Sequence, residues 1–366
     1  MGAPFNRVPC FLSKISKHLL SRGLCSTPYP RSVTPLEKQF QSWTDLLRPG
    51  FTPADVDAAL RSQSDPDLAL DIFRWASLRP GYRHSPAVYS TILQISLSAR
   101  RFSHAEALLE EILAGAPSSP PDLPLYNSLI RFCCSRRHLF SRAFDIYSKI
   151  LNSRPPSARP DLHTYSMLLQ ALLRRFGRPP VSYIHLHAVR SLVRQMKASG
   201  VVPDAFTLNL IIKAYSRCLE MDEAMRVFRE MVGLYGCAPN EYSYGYVVKG
   251  LCEKGRLEEG MRFFGEMRER GLVPTASVYM AVVCSLAMEG RFEEGIRVLR
   301  DMIANGMAAD VLTYRTVLEG LCRDGRGDEA FELLQELGST KGAMDRRMYS
   351  DLLDGLHWLS QPHDAN

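Results

Sequence analysis

The sequence lacks the short motifs that would place a common catalytic or redox centre in it. Its nine cysteines include no Cys-x-x-Cys pair, so neither a zinc ribbon nor a thioredoxin-like dithiol is indicated. No phosphate-binding glycine motif of the Walker or Rossmann type occurs. His104-Ala105-Glu106 matches the first half of the zinc-deaminase signature, but no Pro-Cys-x-x-Cys follows it. We therefore expect no enzyme activity, no metal and no cofactor.

Long apolar runs are absent, and acidic residues are absent from the start of the chain. No run approaches the roughly 18 apolar residues that a membrane helix needs, so no membrane insertion is expected. Residues 1–36 contain five lysines and arginines and no acid, and Phe11, Ile15 and Leu19 share one helical face. These features are typical of an organellar transit peptide. The stretch RGLCST resembles a mitochondrial processing site, which favours the mitochondrial matrix, with the plastid as the alternative.

What the sequence does contain is a repeat. The stretch VVKGLCEKGRLEEG begins at Val247, and VLEGLCRDGRGDEA begins at Val317. Alignment on a tyrosine, an apolar run, Gly-Arg-x-x-Glu and a closing Gly-x-x-Pro-Asp divides the chain into seven units of 35 to 43 residues. The units are 86–122, 123–161, 162–204, 205–240, 241–275, 276–310 and 311–345. A degenerate unit with N-terminal helices is expected within 37–85, and a partial repeat with a tail within 346–366.

Each unit predicts two helices. In the unit 241–275, Tyr244, Val247, Val248 and Leu251 follow the i, i+3, i+4, i+7 spacing of one helical face. Gly255 then provides a left-handed residue that ends this helix. A single helix pair cannot bury its own apolar faces, but a stack of pairs can. The sequence therefore predicts an all-α fold, a right-handed α-solenoid of stacked helix-turn-helix repeats of about 35 residues.

The repeat consensus resembles the pentatricopeptide repeat family. The residues that carry the resemblance include VLTYRTVLEGLCRDGRGDEAFELLQEL, from Val311 to Leu337, and TLNLIIKAYSRCLEMDEAMRVFREM, from Thr207 to Met231. Units of similar length indicate the P-type subclass found in plant organelles. Repeats of this family read about one RNA base each with two or three side chains. The resemblance implies that the fifth and last residues of each repeat do so.

Four repeats carry polar residues at both implied positions. By resemblance to the family's code, these pairs favour G, U, G and a pyrimidine, with C over U; they are Ser90/Asp122, Asn127/Asp161, Ser166/Asp204 and Asn209/Asn240. The last three pairs depart from the pattern and are expected to read weakly or not at all; they are Gly245/Thr275, Met280/Asp310 and Arg315/Asp345. The alternative for the favourable pairs is that the serine or asparagine caps a helix or faces solvent and that the aspartate is a turn residue.

Charge indicates where phosphate would bind. Residues 123–204 carry 13 lysines and arginines against 3 acids, whereas residues 205–366 carry 19 against 25. Neutralisation of phosphates by such cations is the sequence-independent part of RNA affinity. The candidate phosphate contacts are Arg131, Arg136, Arg137, Arg174, Arg175 and Arg178. A solvated basic face, or a contact with an acidic protein, is the alternative interpretation.

Two functions remain. The first is a sequence-selective, single-stranded RNA-binding protein of an organelle, a monomer that acts by occupancy in RNA processing, splicing, stability or translation. The second is a protein-interaction scaffold or a structural component of an organellar ribosome or processing complex, with a partner on the acidic C-terminal half. Both functions can hold in one chain.

Overall fold

A computed structural model describes residues 42–43, 47, 50–152, 159–176 and 181–360. The predicted transit peptide, residues 1–36, lies outside them. The regular structure of the described residues is helical, and no β-strand occurs among them. The chain divides into two compact units, Met1–Pro160 and Asp161–Asn366, and each is described by itself.

The first unit contains three consecutive helix pairs. We call the first helix of a pair its A helix and the second its B helix. The A helices α1 and α3 pack on each other, as do α3 and α5, and each A helix packs on its own B helix. The helices are α1 (Pro53–Arg61), α2 (Pro66–Ser77), α3 (Pro86–Ser98), α4 (Phe102–Leu113), α5 (Leu123–Ser135) and α6 (Phe140–Leu151).

The second unit continues the same pattern. Its A helices α7, α9, α11, α13, α15 and α17 pack on one another in chain order, and each B helix lies against its own A helix and the next one. The helices are α7 (Leu162–Leu173), α8 (Val181–Ala198), α9 (Ala205–Arg217), α10 (Met221–Gly233), α11 (Glu241–Glu253), α12 (Leu257–Glu269), α13 (Ala276–Met288), α14 (Phe292–Ala304), α15 (Val311–Arg323), α16 (Gly327–Ser339) and α17 (Arg346–Ser360). The predicted all-α fold of stacked helix pairs is confirmed.

Arginines link successive B helices in a ladder of ion pairs. Arg256, Arg291 and Arg326 each stand just before a B helix, at its N-cap position. Arg291 donates to Glu294 on its own helix at 2.7 and 2.9 Å and also to Glu258 on the preceding B helix. Each of these arginines therefore offsets the acids in two neighbouring first turns. This geometry explains the recurrent Gly-Arg-x-x-Glu motif, whose glycine adopts a positive φ of 73–79°.

Buried tyrosines tie A helices to the polar side chains of their B helices. Tyr244 and Tyr279 are at most 1% exposed. The Tyr244 hydroxyl donates to Glu266 at 2.7 Å, and the Tyr279 hydroxyl donates to Asp301 at 2.9 Å. Burial and the Asp301 carboxylate raise the pKa of Tyr279 to about 12, so this hydroxyl stays a donor at neutral pH.

The glycine of the recurrent Gly-Leu-Cys motif permits close packing. A Cβ atom on Gly320 would stand 2.6 Å from Cε1 of Phe292, the first residue of the preceding B helix. Phe292 is itself buried, so its ring has little room to move away. Gly250 meets the side chain of Met221 in the same way. The glycine is therefore a packing requirement of the A-helix layer.

We expect Gly320→Ala to lower the free energy of unfolding by about 1–3 kcal/mol, because the added methyl group overpacks the Phe292 contact. Gly265 also lies inside a helix, but a Cβ there would meet no atom within 4 Å. Gly265→Ala is therefore the control, and it should raise stability by about 0.5–1 kcal/mol. Urea unfolding of both variants measures the difference. Stabilisation by both substitutions would contradict the packing account.

We expect Arg291→Met to lower the free energy of unfolding by about 0.5–1 kcal/mol at low salt and by less at high salt. Arg291 holds the pKa of Glu294 below its ordinary 4.5. The ion pair therefore stabilises the fold above pH 4.5, and its contribution is lost as the pH falls below that value. Arg347→Met, at an exposed position of α17 that forms no ion pair with a described acid, is the control. An equal effect of the two variants in urea titrations would count against the ladder.

Candidate nucleic-acid interface

The last residue of most repeats is the N-cap of the next A helix. The side chains of Asp122, Asp161, Asp204 and Asp310 each accept a hydrogen bond from the backbone N–H three residues on. Asp345 does the same, with 2.7 Å to the N–H of Met348. Thr275 makes no such side-chain bond. The aspartates implied in base reading are thus also helix caps, and one cap bond leaves each carboxylate further lone pairs for other donors.

Asn209 and Asn240 place both implied reading positions of one repeat in direct contact. The Asn209 Nδ2 donates to the Asn240 Oδ1 at 3.1 Å, and the Ser243 hydroxyl donates to the Asn209 Oδ1 at 2.6 Å. The Asn240 Oδ1 also accepts from the N–H groups of Tyr242 and Ser243, at 3.1 Å each. These bonds all fall on the Oδ1 of the half-buried Asn240, and none of them uses its amide nitrogen.

The Ser166 and Asp204 pair meets through Thr207. The Ser166 hydroxyl donates to the Leu162 carbonyl at 2.6 Å and lies 3.2 Å from the Thr207 hydroxyl, while Asp204 accepts from the Thr207 N–H at 2.8 Å. Asp204 is exposed and Ser166 is half-buried, so the carboxylate is the more accessible of the two.

The remaining favourable residues lie in different surroundings. Ser90 is half-buried on α3, and Asp122 is exposed at the start of α5. Asn127 is half-buried on α5, in the first unit, whereas Asp161 caps α7 in the second, so each member of that pair is described within its own unit. Base reading by the four pairs stays a prediction.

The three pairs expected to read weakly are constrained by their neighbours. A Cβ on Gly245 would lie 3.1 Å from the Val278 Cγ2, so this glycine lets α13 approach α11. Met280 packs against the core of the unit. Arg315 is exposed but lies 3.7 Å from the Glu319 carboxylate. These contacts give a physical reason for the departures, and weak reading there stays a prediction.

A cavity of about 540 Å³ opens on the A helices α9, α11 and α13. Gly245 and Thr275, the fifth and last residues of one repeat, both line it. Its cationic wall consists of Lys213, Lys249 and Arg217, although Glu241 and Glu253 also line it. The Lys213 ammonium lies 5.1 Å from the ring centroid of Tyr246, and Lys249 lies 3.8 Å from the Glu253 carboxylate. The arrangement can hold a phosphate against the cations and the ring of a nucleobase against Tyr242 and Tyr246, which both line the cavity.

The charge of the A-helix face reverses toward the C-terminal end of the second unit. The ninth residue of successive repeats is Lys213, Lys249, Cys284 and then Glu319. A second cavity, of about 470 Å³, is lined by Glu319 and Asp324 as well as by Arg315 and Arg323. Arg323 donates to Glu319 at 2.9 Å. The cations of this second cavity are therefore offset by acids, which disfavours phosphate there.

The predicted phosphate contacts have mixed environments. Arg131 is exposed on α5, one turn after Asn127, whereas the Arg136 guanidinium lies 3.6 Å over the Phe102 ring. The exposed Arg137 follows in the chain. Arg174, also exposed, donates to Gln170 at 3.3 Å. Arg175 is half-buried, and Arg178 lies outside the described residues. Their role in phosphate binding stays a prediction.

Sequence reasoning missed Lys213 and Lys249. Block averages hid them, because the region 205–366 is net acidic. A count by repeat position would have found them, since both are the ninth residue of their repeat and lie one turn beyond the reading position.

The part of the chain that the structure covers holds no group of three or more His, Cys, Asp or Glu side chains arranged to bind a metal ion. None of its helices combines the length and the apolar character that crossing a bilayer requires.

Comparison with known proteins points to one family. Models of the PPR repeat match residues 203–253, 242–272, 277–307 and 305–337. A mitochondrial pentatricopeptide repeat-containing protein of Arabidopsis thaliana is 52% identical over 62% of this chain and 61% of its own length. A second such protein of that species, also named mitochondrial, is 33% identical over 64% of this chain and 53% of its own length. The chain thus spans less than two thirds of the length of either relative.

The fold has a counterpart among solved structures. The crystal structure of the pentatricopeptide repeat protein PPR10 from maize matches with a TM-score of 0.54 and 20% identity, over 95% of this chain and 54% of that one. The repeat models and the two relatives agree on one conclusion: the chain contains pentatricopeptide repeats, which the models place within residues 203–337.

Proposed function

We propose that the chain binds single-stranded RNA along the A-helix face of its second unit and acts by occupancy in RNA processing, splicing, stability or translation. The contact between Asn209 and Asn240 carries this proposal, because it joins the two implied reading positions of the repeat 205–240. The cavity lined by Lys213, Arg217 and Lys249 lies on the next helices of the same layer and supplies cations for phosphate. Repeats of this family read single-stranded RNA.

We place this activity in the mitochondrion, in the matrix. The acid-free, arginine-containing start of the sequence supports that location, and two similar proteins of Arabidopsis thaliana are named mitochondrial. The plastid is the alternative, since a third relative, 22% identical, is named chloroplastic. The P-type subclass stays a prediction.

Equilibrium binding to short RNAs tests the proposal. The chain without residues 1–36 should bind a single-stranded RNA that contains G-U-G-C more tightly than a scrambled RNA, and more tightly than the same sequence in a duplex. Weak, salt-insensitive binding that does not distinguish these three RNAs would overturn it.

We expect the double variant Lys213→Ala/Lys249→Ala to weaken binding to all single-stranded RNAs alike, because the two ammonium groups neutralise phosphates. The slope of log affinity against log salt concentration should fall by about 1.4, as expected for two lost phosphate contacts. Lys341→Ala, an exposed lysine after α16, removes a charge away from the cavity and should leave the slope unchanged. A slope unaltered in the double variant would remove these lysines from the interface.

We expect Asn240→Asp to shift the preferred base at one RNA position from C to U. The Asn240 amide nitrogen, which makes none of the cap bonds, would donate to the N3 acceptor of cytosine, whereas a carboxylate accepts from the N3–H of uracil. Aspartate caps helices as well as asparagine does, so the fold should be retained. Competition binding should show a change in the C-to-U ratio of about tenfold.

The converse substitution supplies the control. Asp310→Asn makes the reverse change at another helix cap. Asp310 belongs to the same repeat as Met280, and this repeat is expected to read its base weakly or not at all. The substitution should leave base preference unchanged. A shift in both variants, or in neither, would contradict the assignment of Asn240.

A further inference from the structure

A further cavity, of about 540 Å³, opens in the first unit. We call it the loop cavity, because it is formed by residues 50–53 at the start of α1, by residues 79–83 between α2 and α3, and by Ser118 between α4 and α5. Its volume lies within the range of small-molecule sites. None of the described residues that line it is acidic.

Two aromatic rings line the loop cavity. The Phe51 ring stacks on Trp75, with ring centroids 5.6 Å apart and an interplanar angle of 23°. It also contacts the Tyr82 ring, at 4.9 Å between centroids. Phe51 and Tyr82 are both half-buried, so each ring is held by neighbours and keeps part of its surface accessible. Such a surface suits contact with a planar ligand ring.

A buried histidine holds the Tyr82 ring. Burial lowers the pKa of His84 to about 4, so its imidazole is neutral at pH 7 and carries one N–H. The His84 Nε2 lies 3.0 Å from the Phe73 carbonyl oxygen, which can only accept, so Nε2 is the donor. The Tyr82 hydroxyl therefore donates to the His84 Nδ1, at 3.1 Å. With its hydroxyl engaged, Tyr82 has its ring left for contact with a ligand.

The charged residues that line the loop cavity are Arg79 and Arg83, and both are exposed. The Arg79 guanidinium lies 4.2 Å from the ring centroid of Trp75. Arg83 donates to the carbonyl oxygens of Gly115 and Ala116, at 3.2 and 3.3 Å. These partners are uncharged, so they orient the two guanidinium groups without neutralising them. The cavity therefore attracts an anion.

The start of α1 does not supply the anion contact. Asp55, in the first turn of α1, accepts from the Thr52 N–H at 2.7 Å and from the Thr52 hydroxyl at 2.8 Å. Thr52 thus has an acid of its own chain as partner. The attraction for an anion rests on the two arginines.

We propose that the loop cavity binds a nucleotide, with its phosphate on Arg79 and Arg83 and its base against the rings of Phe51 and Tyr82. Guanidinium groups match the oxygens of a phosphate, and an aromatic face stacks on any nucleobase. The ligand is a free nucleoside monophosphate or the 5′-terminal nucleotide of an RNA, which present the same two groups. The site lies in the first unit, and its occupancy does not depend on RNA binding by the second.

Isothermal titration calorimetry of the full chain with three ligands tests the proposal. Adenosine 5′-monophosphate should bind with a Kd below roughly 1 mM. Adenosine, which lacks the phosphate, and ribose 5-phosphate, which lacks the base, should each bind at least about tenfold more weakly. Adenosine 5′-monophosphate that does not bind, or that binds no more tightly than either fragment, would overturn the proposal.

Two substitutions separate the two contacts. Arg79→Gln should weaken binding of adenosine 5′-monophosphate and of ribose 5-phosphate by about tenfold each. Phe51→Leu keeps an apolar side chain but removes the ring, so it should weaken binding of the nucleotide by about tenfold and leave ribose 5-phosphate unaffected. Arg100→Gln, at an exposed position after α3, is the charge-matched control and should change neither affinity. Circular dichroism checks that the variants are folded, and folded variants that bind the nucleotide like the unsubstituted chain would contradict the assignment.

The double variant Lys213→Ala/Lys249→Ala separates this site from the cavity of the second unit. It should bind adenosine 5′-monophosphate as the unsubstituted chain does, and a loss of binding would place the nucleotide in the second unit and overturn the proposal.

An adenosine dinucleotide with a 5′-phosphate identifies the source of the ligand. An affinity equal to that of adenosine 5′-monophosphate indicates the 5′ end of an RNA, whereas binding of the mononucleotide alone indicates a free nucleotide.

Discussion

In most repeats the side chain of the last residue accepts a hydrogen bond from the backbone of the next A helix, and both stack and site depend on this interaction. It starts the helix, and it fixes a polar group at the edge of the A-helix face. Asp204 bonds the Thr207 N–H, and Asn240 bonds the Ser243 N–H, with nearly the same geometry. Because asparagine and aspartate cap equally well, the side-chain atom that makes no cap bond can change from an amide donor to a carboxylate acceptor without a loss of stability. A structural constraint thus leaves one atom free to vary for recognition.

The sequence predicts best those features of the fold that recur from one repeat to the next. The 35-residue period, the tyrosine at the fourth position and the glycine before the B helices α12, α14 and α16 all follow from stacking, and the structure shows each of them, as in Tyr244 and Gly255. It was less informative where a contact joins neighbouring repeats. The burial of Asn209 at 7% exposure and the approach of Val278 to Gly245 depend on how close two helices come, and no local pattern records that distance. The average charge of a block also hid Lys213 and Lys249.

The charge of the A-helix face changes from positive to negative along the second unit. Lysines at the ninth position of α9 and α11 give way to Cys284 and then to Glu319, so phosphate is favoured at one end of the A-helix layer and disfavoured at the other. The cationic part of the face is therefore the part where we expect RNA phosphates to bind.

Cross-link mapping tests the central claim most directly. Ultraviolet cross-linking of the chain to a single-stranded RNA that contains G-U-G-C, followed by mass spectrometry of the peptides, locates the contact. The account predicts cross-links in α9 and α11, around Asn209, Tyr242 and Tyr246. Cross-links confined to the B helices α10, α12 and α14, or their absence at saturating RNA, would contradict it.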